Sequence, residues 1–101
     1  MKKIPNIHPG AILEDAFHKE FPISPYRLAK ETKMPPTRIS EIIKGKRRIT
    51  ADTALRLSKF FGTTPDFWLG IQMEYDLREE KSIKAKEISS IKSLKALHLA
   101  V

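Results

Sequence analysis

The sequence lacks the residues on which several classes of site depend. It contains no cysteine among its 101 residues, which excludes disulfide bonds and thiolate metal ligands. His8, His18 and His98 have no metal-binding spacing, so we predict no metal site. A glycine-rich phosphate loop and a nucleophile beside a base are also missing. We therefore predict neither a cofactor nor an enzymatic activity.

Long apolar runs are scarce as well. No stretch approaches the roughly 20 apolar residues of a membrane span, and the N-terminal Met-Lys-Lys is not followed by the apolar core of a signal peptide. We therefore expect a cytoplasmic protein without a membrane partner. The length, together with a hydrophobic content of 41%, predicts one domain with a modest core.

The positive charge is concentrated in one segment. The chain has 19 Lys and Arg against 12 Asp and Glu, a net charge of +7. Residues 22–50 carry eight of the basic residues but only Glu31 and Glu41 as acidic ones, which leaves +6 in that segment. A contiguous basic excess is typical of a surface that contacts nucleic acid, although a solvated face without a partner has the same charge.

Apolar residues recur at helical spacing along most of the chain, which predicts an all-α fold. Hydroxyl N-caps, prolines in first helical turns and glycines after last turns mark the helix ends at Ser24-Pro25, Pro36, Gly45, Thr50, Gly62 and Thr64-Pro65. The first helix carries one apolar stripe, and the next three helices should turn one face inward. The stripe is Ile12, Leu13, Ala16, Phe17 and Phe21; the inward residues are Leu28 and Ala29, then Ile39, Ile42 and Ile43, then Ala54, Leu55, Ser58 and Phe61 with Leu57 flanking. A fifth helix should run through Phe67, Trp68, Ile71, Gln72 and Tyr75. The bundle should end near residue 80.

The segment from Ser24 to Arg48 has the pattern of a helix-turn-helix. Ala29 is the small residue at the helix crossing, Met34 the apolar residue of the turn, and Ile39 and Ile42 are the branched residues of the second helix. The turn position after Thr32 favours glycine because it needs a positive φ, yet the residue there is Lys33. The motif predicts that the second helix enters the major groove of duplex DNA.

The same segments carry a family resemblance. His8-Pro9-Gly10-x-Ile12-Leu13, Ser24-x-Tyr26-Arg27-Leu28-Ala29 and Pro35-Pro36-x-Arg38-Ile39-x-Glu41-Ile42 resemble the HigA-type antitoxins, also called virulence-associated protein I. Gly45-Lys46-Arg47-x-Ile49-Thr50-Ala51-Asp52-Thr53-Ala54-Leu55-Arg56-Leu57 and Gly62-Thr63-x-Pro65-x-Phe67-Trp68-Leu69 extend the similarity, which covers residues 8–77. The helix signals predict a compact bundle of five short helices, and the resemblance implies that it is of the phage-repressor-like helix-turn-helix type.

The resemblance also implies a function. Members of this family are bacterial repressors that autoregulate their operon and bind a small ribonuclease toxin encoded beside them. A stand-alone phage-type repressor without a toxin is the alternative, and a protein-interaction or membrane-surface module that acts through its basic tail is a third. An adjacent, co-oriented reading frame distinguishes the first two, and DNA binding by residues 1–80 alone excludes the third.

The helix-turn-helix predicts a role for each residue of the DNA surface. Thr37 and Arg38 should face base edges, with Arg38 bidentate to guanine, and Ser40 lies on the same side of the helix. Glu41 either accepts from cytosine or orients Arg38, and we favour the orienting role. Phosphate contacts are expected from Tyr26, Arg27, Lys44, Lys46, Arg47 and Arg48. Arg56 and Lys59 are expected on a solvated face, and Asp52 and Asp66 at helix N-termini.

A single unit of this size buries little surface on DNA, so we predict a homodimer. We place the DNA-binding domain in residues 1–81 and a C-terminal extension in residues 82–101, where Ile91, Leu94 and Leu97 predict a weak amphipathic helix. The extension should fold only against a second surface, for which we favour the partner protomer over the toxin or an anionic membrane. The expected dimer interface is Phe67, Trp68, Ile71, Tyr75, Ile83 and Ile88.

Overall fold

The computed structural model describes residues 6–16 and 22–98, and these residues form helices and turns without a strand. Phe17, His18 and Phe21 lie outside the described residues. The helices are α1 (Pro9–Asp15), α2 (Pro25–Thr32), α3 (Pro36–Ile43), α4 (Ala51–Phe61), α5 (Pro65–Ile83) and α6 (Ala85–Ser89). Within the described ranges, no helix is both long and apolar enough to cross a membrane.

The helix starts follow the capping pattern of the sequence. The Ser24 hydroxyl accepts a hydrogen bond from the Arg27 N–H at 3.1 Å, and the Thr64 hydroxyl accepts one from the Phe67 N–H at 3.2 Å. These bonds pair backbone donors that the first turn of a helix leaves free. Thr50 also occupies an N-cap position, but its side chain makes no capping bond to α4. The caps predicted at Ser24 and Thr64 are therefore confirmed in detail.

The core lies where α1, α2, α3, α4 and the first half of α5 meet. Its buried apolar side chains are Leu13, Leu28, Ala29, Met34, Ile39, Ile42, Ile49, Ala54, Leu57 and Trp68. One prediction for α4 is wrong, because Leu57 is fully buried whereas Leu55 is 59% exposed. Ala54, Leu57 and Ser58 share one helical face, and Leu55 is rotated away from it by about 100°.

The chain leaves this bundle within α5. Residues 81–98 are all exposed, and the radius of gyration is 17.8 Å, against about 13 Å for a compact domain of 100 residues. The amphipathic helix predicted from Ile91 is wrong for residues 91–98, which form irregular structure and turns. Spacing alone is insufficient there, because a short helix is marginal without a surface against which its apolar face can pack.

The N-terminus of α1 lies against the C-terminal half of α3. His8 caps α1, since its Nδ1 accepts a hydrogen bond from the Gly10 N–H at 2.9 Å. Burial lowers the pKa of His8 from its ordinary value of 6.5, although Asp76 acts in the opposite direction. The imidazole is therefore kept neutral, as an acceptor nitrogen requires. Its ring also contacts the Tyr75 ring edge-on, with centroids 4.8 Å apart.

Gly10 marks the closest approach of these two helices. A Cβ atom at this position would collide with the backbone carbonyl of Ile42 on α3. Because a backbone atom cannot rotate away as a side chain can, any larger residue at position 10 forces α1 and α3 apart. The glycine therefore fixes the distance between α1 and α3.

Gly10→Ala should lower the free energy of unfolding by about 1–3 kcal/mol, because the added methyl overpacks a backbone contact. Gly70→Ala is the matched control, since a Cβ there meets open space on α5. The control should raise the free energy of unfolding by about 0.5–1 kcal/mol, as alanine does in a helix interior. Urea unfolding followed by circular dichroism measures both, and similar changes in the two variants would contradict the close approach.

Candidate nucleic-acid interface

The turn between α2 and α3 sets the angle of the helix-turn-helix. Lys33 has φ 57° and ψ 42°, the left-handed conformation expected at this position. The Met34 N–H donates to the Ala29 carbonyl at 2.9 Å, and the Lys33 N–H donates to the Lys30 carbonyl at 3.2 Å. This pattern ends a helix by pairing carbonyls of its last turn. Met34 is 4% exposed beneath the turn, as predicted.

Arg56 on α4 holds this turn in place. Its Nη1 donates to the Thr32 carbonyl at 3.2 Å and to the Lys33 carbonyl at 3.1 Å. The prediction that Arg56 belongs to a solvated face is therefore wrong. Sequence spacing contained no signal for this contact, because it joins residues 23 and 24 positions apart. A lysine occupies the left-handed position that favours glycine, and the two hydrogen bonds offset part of its strain.

The side of α3 that faces solvent is fixed by the side that is buried. Ile39 and Ile42 are fully buried under α2 and α1. Since successive residues turn by about 100°, the opposite side presents a short polar surface that consists of Thr37, Ser40, Glu41 and Lys44. Thr37 and Lys44 are exposed, and Ser40 and Glu41 are partly exposed.

Arg38 lies on the flank of α3, facing the start of α4. Its Nη1 donates to Asp52 Oδ2 at 2.5 Å, and 26% of its side chain is exposed. Asp52 Oδ2 also accepts from Arg56 Nε at 3.0 Å. The hydrogen bonds from Arg38 and then Arg56 lower the pKa of Asp52, which keeps this carboxylate ionised. Asp52 is in the first turn of α4 as predicted, but it also connects α3 to the arginine that holds the turn.

The basic loop, residues 44–48, follows α3 directly. Gly45, at φ 75°, ends the helix: its N–H donates to the Ile42 carbonyl, and the Lys46 N–H donates to the Glu41 carbonyl at 2.8 Å. The side chains of the loop are all exposed. The predicted pairing of Glu41 with Arg38 is wrong, because Glu41 Oε1 instead accepts from Arg47 Nη2 at 2.9 Å.

Two hydrogen bonds between residues far apart in the sequence attach the end of this loop to α5. The Ile49 N–H donates to Gln72 Oε1 at 2.8 Å, and Arg48 Nη2 donates to Asp76 Oδ2 at 2.5 Å. Ile49 is 1% exposed and Gln72 is 2% exposed. Sequence reasoning did not identify Ile49 or Asp76, since neither lies within a predicted apolar stripe or capping motif.

The N-terminus of α2 adds a second cationic region. Tyr26 is 69% exposed, and Arg27 forms an exposed ion pair with Glu31 at 3.0 Å, one turn along the helix. Tyr26 and Arg27 lie in the first turn of α2, where free backbone N–H groups and the helix dipole favour an anion. The geometry of α2, α3 and the basic loop suits contact with a polyanion. Among the described residues, no three His, Asp or Glu side chains form a group that could hold a metal ion.

The residues predicted to form a dimer interface divide into two groups. Phe67 is 46% exposed, and Ile83 and Ile88 are 72% and 46% exposed; Ile71 and Tyr75 are partly buried. Trp68 is 1% exposed, and its Nε1 donates to the Thr63 hydroxyl at 2.8 Å. Its assignment to the dimer surface is wrong, because the indole packs in the core of the bundle.

The sequence and the structure are both similar to known helix-turn-helix proteins. Residues 23–68 match the Helix-turn-helix family HTH_3. The chain is 46% identical to virulence-associated protein I of Dichelobacter nodosus over 75% of this chain and 70% of that protein. It is similar in structure to a HigA-family addiction module antidote protein from Coxiella burnetii, with TM-score 0.85, 43% identity and coverage of 89% and 99% of the two chains. It is also similar to Pseudomonas aeruginosa antitoxin HigA, solved with the higBA promoter, with TM-score 0.83, 40% identity and coverage of 89% and 99%.

The strain at Lys33 yields a test of the turn. Lys33→Gly should raise the free energy of unfolding relative to Lys33→Ala by about 1 kcal/mol, because only glycine adopts the left-handed conformation without a Cβ penalty. Both substitutions remove the same charge, so their difference reports the backbone alone. Chemical denaturation of the two variants measures it, and equal stabilities would contradict a left-handed residue at this position.

Proposed function

Since the chain belongs to the HigA-type antitoxin, or virulence-associated protein I, family of helix-turn-helix proteins, we propose that it is a repressor that binds operator DNA in the major groove. The observation that carries the proposal is the exposed polar side of α3, which is continuous with the exposed basic loop. A helix with this surface fits the major groove, and its basic surroundings fit the phosphates.

Within this complex, α3 reads the bases. Thr37, Ser40, Glu41 and Lys44 form its outward surface, and Arg38 stands beside them. A guanidinium carries five N–H donors, so Arg38 can keep its bond to Asp52 and still present donors to guanine. Lys44, Lys46, Arg47 and Arg48 contact phosphates along one strand, and Tyr26 and Arg27 contact the backbone at the N-terminus of α2.

The protein acts as a homodimer on a two-fold operator. Two recognition helices reach successive major grooves when half-site centres lie about 34 Å apart. The exposed apolar residues of α5 and the C-terminal extension supply the contact, namely Phe67, Met73, Leu77, Ile83 and Ile88, with Ile71 and Tyr75 at the edge. This set retains most of the sequence-based prediction and replaces Trp68 by Met73 and Leu77.

Family membership supports two further steps of the proposal. The operator lies in the promoter of the chain's own operon, and the partner is a small ribonuclease toxin encoded beside it. Antitoxin HigA-1 of Vibrio cholerae, 31% identical over 84% of this chain, belongs to a toxin–antitoxin pair by its name. A stand-alone repressor remains the second candidate, and copurification of the chain with the product of the neighbouring gene distinguishes the two.

The DNA surface is tested by charge removal at matched positions. Lys46→Ala should weaken binding to the promoter region and to random duplex alike, and should reduce the slope of log affinity against log salt by about one unit. Arg38→Ala should weaken binding to the promoter region far more than binding to random duplex. Fluorescence anisotropy at several salt concentrations measures both.

Lys59→Ala is the control for this experiment, because Lys59 is exposed on α4 and outside the proposed DNA surface. It removes one positive charge and should leave the salt slope unchanged. A wild-type protein that binds its promoter region no better than random duplex would disprove the proposal. Identical behaviour of the Arg38 and Lys46 variants would disprove the division into base and phosphate contacts.

The extension is tested by truncation after Lys81. The shortened protein should keep the helical circular dichroism of the bundle but dimerise more weakly in sedimentation equilibrium, because it loses Ile83 and Ile88. A truncated protein that dimerises normally but no longer binds the toxin would assign the extension to the toxin. Normal behaviour in both assays would show that the extension supports neither contact.

A further inference from the structure

Asp76 on α5 is engaged through both of its carboxylate oxygens. Oδ2 accepts from Arg48 Nη2 at 2.5 Å, and Oδ1 accepts from Gln72 Nε2 at 3.0 Å. The other end of the Gln72 amide, Oε1, accepts the Ile49 N–H. A chain of three hydrogen bonds therefore joins α5 to two consecutive residues of the segment that follows α3.

The two ends of this chain differ in their surroundings. Gln72 and Ile49 are buried, so their bond has a fixed geometry and is costly to break. The Arg48 side chain is 64% exposed, so its guanidinium reaches solvent while one NH₂ group is held. Arg48 is thus oriented from inside the protein, with N–H donors remaining for an external acceptor.

The net effect of Asp76 on DNA binding depends on two opposed contributions. Its negative charge repels phosphate and neutralises Arg48, which weakens binding. Its hydrogen bond holds a long, flexible side chain in one arrangement, which strengthens binding because less side-chain freedom is lost in the complex. An exposed charge contributes weakly at physiological salt because solvent and ions screen it, whereas the loss of orientation is not screened.

We propose that Asp76, supported by Gln72, is a positioning residue for DNA binding: it orients Arg48 toward a backbone phosphate of the duplex. The inference rests on the proposed function and adds to it a residue on α5, outside the helix-turn-helix. An acidic side chain, Asp76, then strengthens the contact of Arg48 with the negatively charged DNA backbone.

Asp76→Asn tests this inference, because charge and positioning predict opposite changes in DNA affinity. Asparagine has the same shape, but an NH₂ donor replaces one of the two acceptor oxygens, so Arg48 and Gln72 can no longer each bind a separate oxygen. The substitution raises the net charge of the protein, and charge alone predicts tighter binding. Positioning predicts instead that affinity for the promoter duplex falls about 5–10-fold at roughly 0.15 M salt and that the salt slope decreases by about one unit, because a phosphate contact is lost.

Glu74→Gln is the matched control. Glu74 lies on the same helix and pairs with Arg78 at 2.8 Å, and its substitution changes the charge by the same amount. It should leave affinity equal or slightly increased, with an unchanged salt slope. Thermal unfolding of each variant establishes that the bundle remains folded under the binding conditions.

Two further variants keep the test decisive if Asp76→Asn is unstable. Arg48→Lys leaves the buried pair of Gln72 and Ile49 intact and keeps the charge, but it removes the two-pronged guanidinium. It should bind as weakly as Asp76→Asn. In an Arg48→Ala background, Asp76→Asn should cause no additional loss, because there is no guanidinium left to orient.

The outcomes separate this inference from the proposed function. If Asp76→Asn binds as tightly as Glu74→Gln, or weakens binding equally when Arg48 is already alanine, the positioning role is overturned. If the wild type shows no preference for its promoter region, the proposed function fails, and the salt slopes on random duplex still decide the role of Asp76.

Discussion

The contact between two backbones, at Gly10 on α1 and Ile42 on α3, determines the position of the proposed DNA surface. Helix α1 approaches α3 so closely that no side chain fits between them, and the neutral His8 ring caps α1 at the same point. The position of α3 is thus defined by main-chain atoms, which deform less than side chains. That contact sets the position of the polar side of α3 and of the basic loop that follows it. Hydrogen bonds to α5 then hold the end of the loop, and Arg56 on α4 holds the turn before α3.

Carboxylates engage several arginines of the proposed DNA surface. Asp52 binds Arg38, Glu41 binds Arg47, and Asp76 binds Arg48. Exposed ion pairs contribute little to stability, so their main effect is on side-chain direction. Asp52 and Asp76 belong to α4 and α5, which means that the rest of the bundle arranges the cationic surface. From the sequence, the basic segment is only a number of positive charges. In the fold, ion pairs orient several of these side chains.

Much of this architecture follows from local sequence. Ser24, Thr64 and the prolines after them predicted helix starts, because a cap acts within one turn. Ala29, Met34, Ile39 and Ile42 predicted the packing of the helix-turn-helix, because the whole motif lies within one short segment. Several of the errors arose where residues outside the element decide the outcome. Arg56 binds the turn of another motif, Glu41 pairs across a loop, and Trp68 is covered by Phe61 and Phe67. Spacing does not reveal such partners, since they depend on how the helices meet.

The left-handed Lys33 links two positions that are far apart in the sequence. Arg56 donates to the carbonyls of Thr32 and Lys33, beside a backbone conformation that lysine adopts at a cost, so we expect substitutions at positions 33 and 56 to be energetically coupled. A glycine at position 33 would remove the strain of the left-handed conformation, so the hydrogen bonds from Arg56 would matter less for stability. With any other residue at position 33, the strain remains and a hydrogen-bond donor on α4 still stabilises the turn. The stability cost of a substitution on α4 thus depends on which residue occupies a turn 23 positions earlier in the chain.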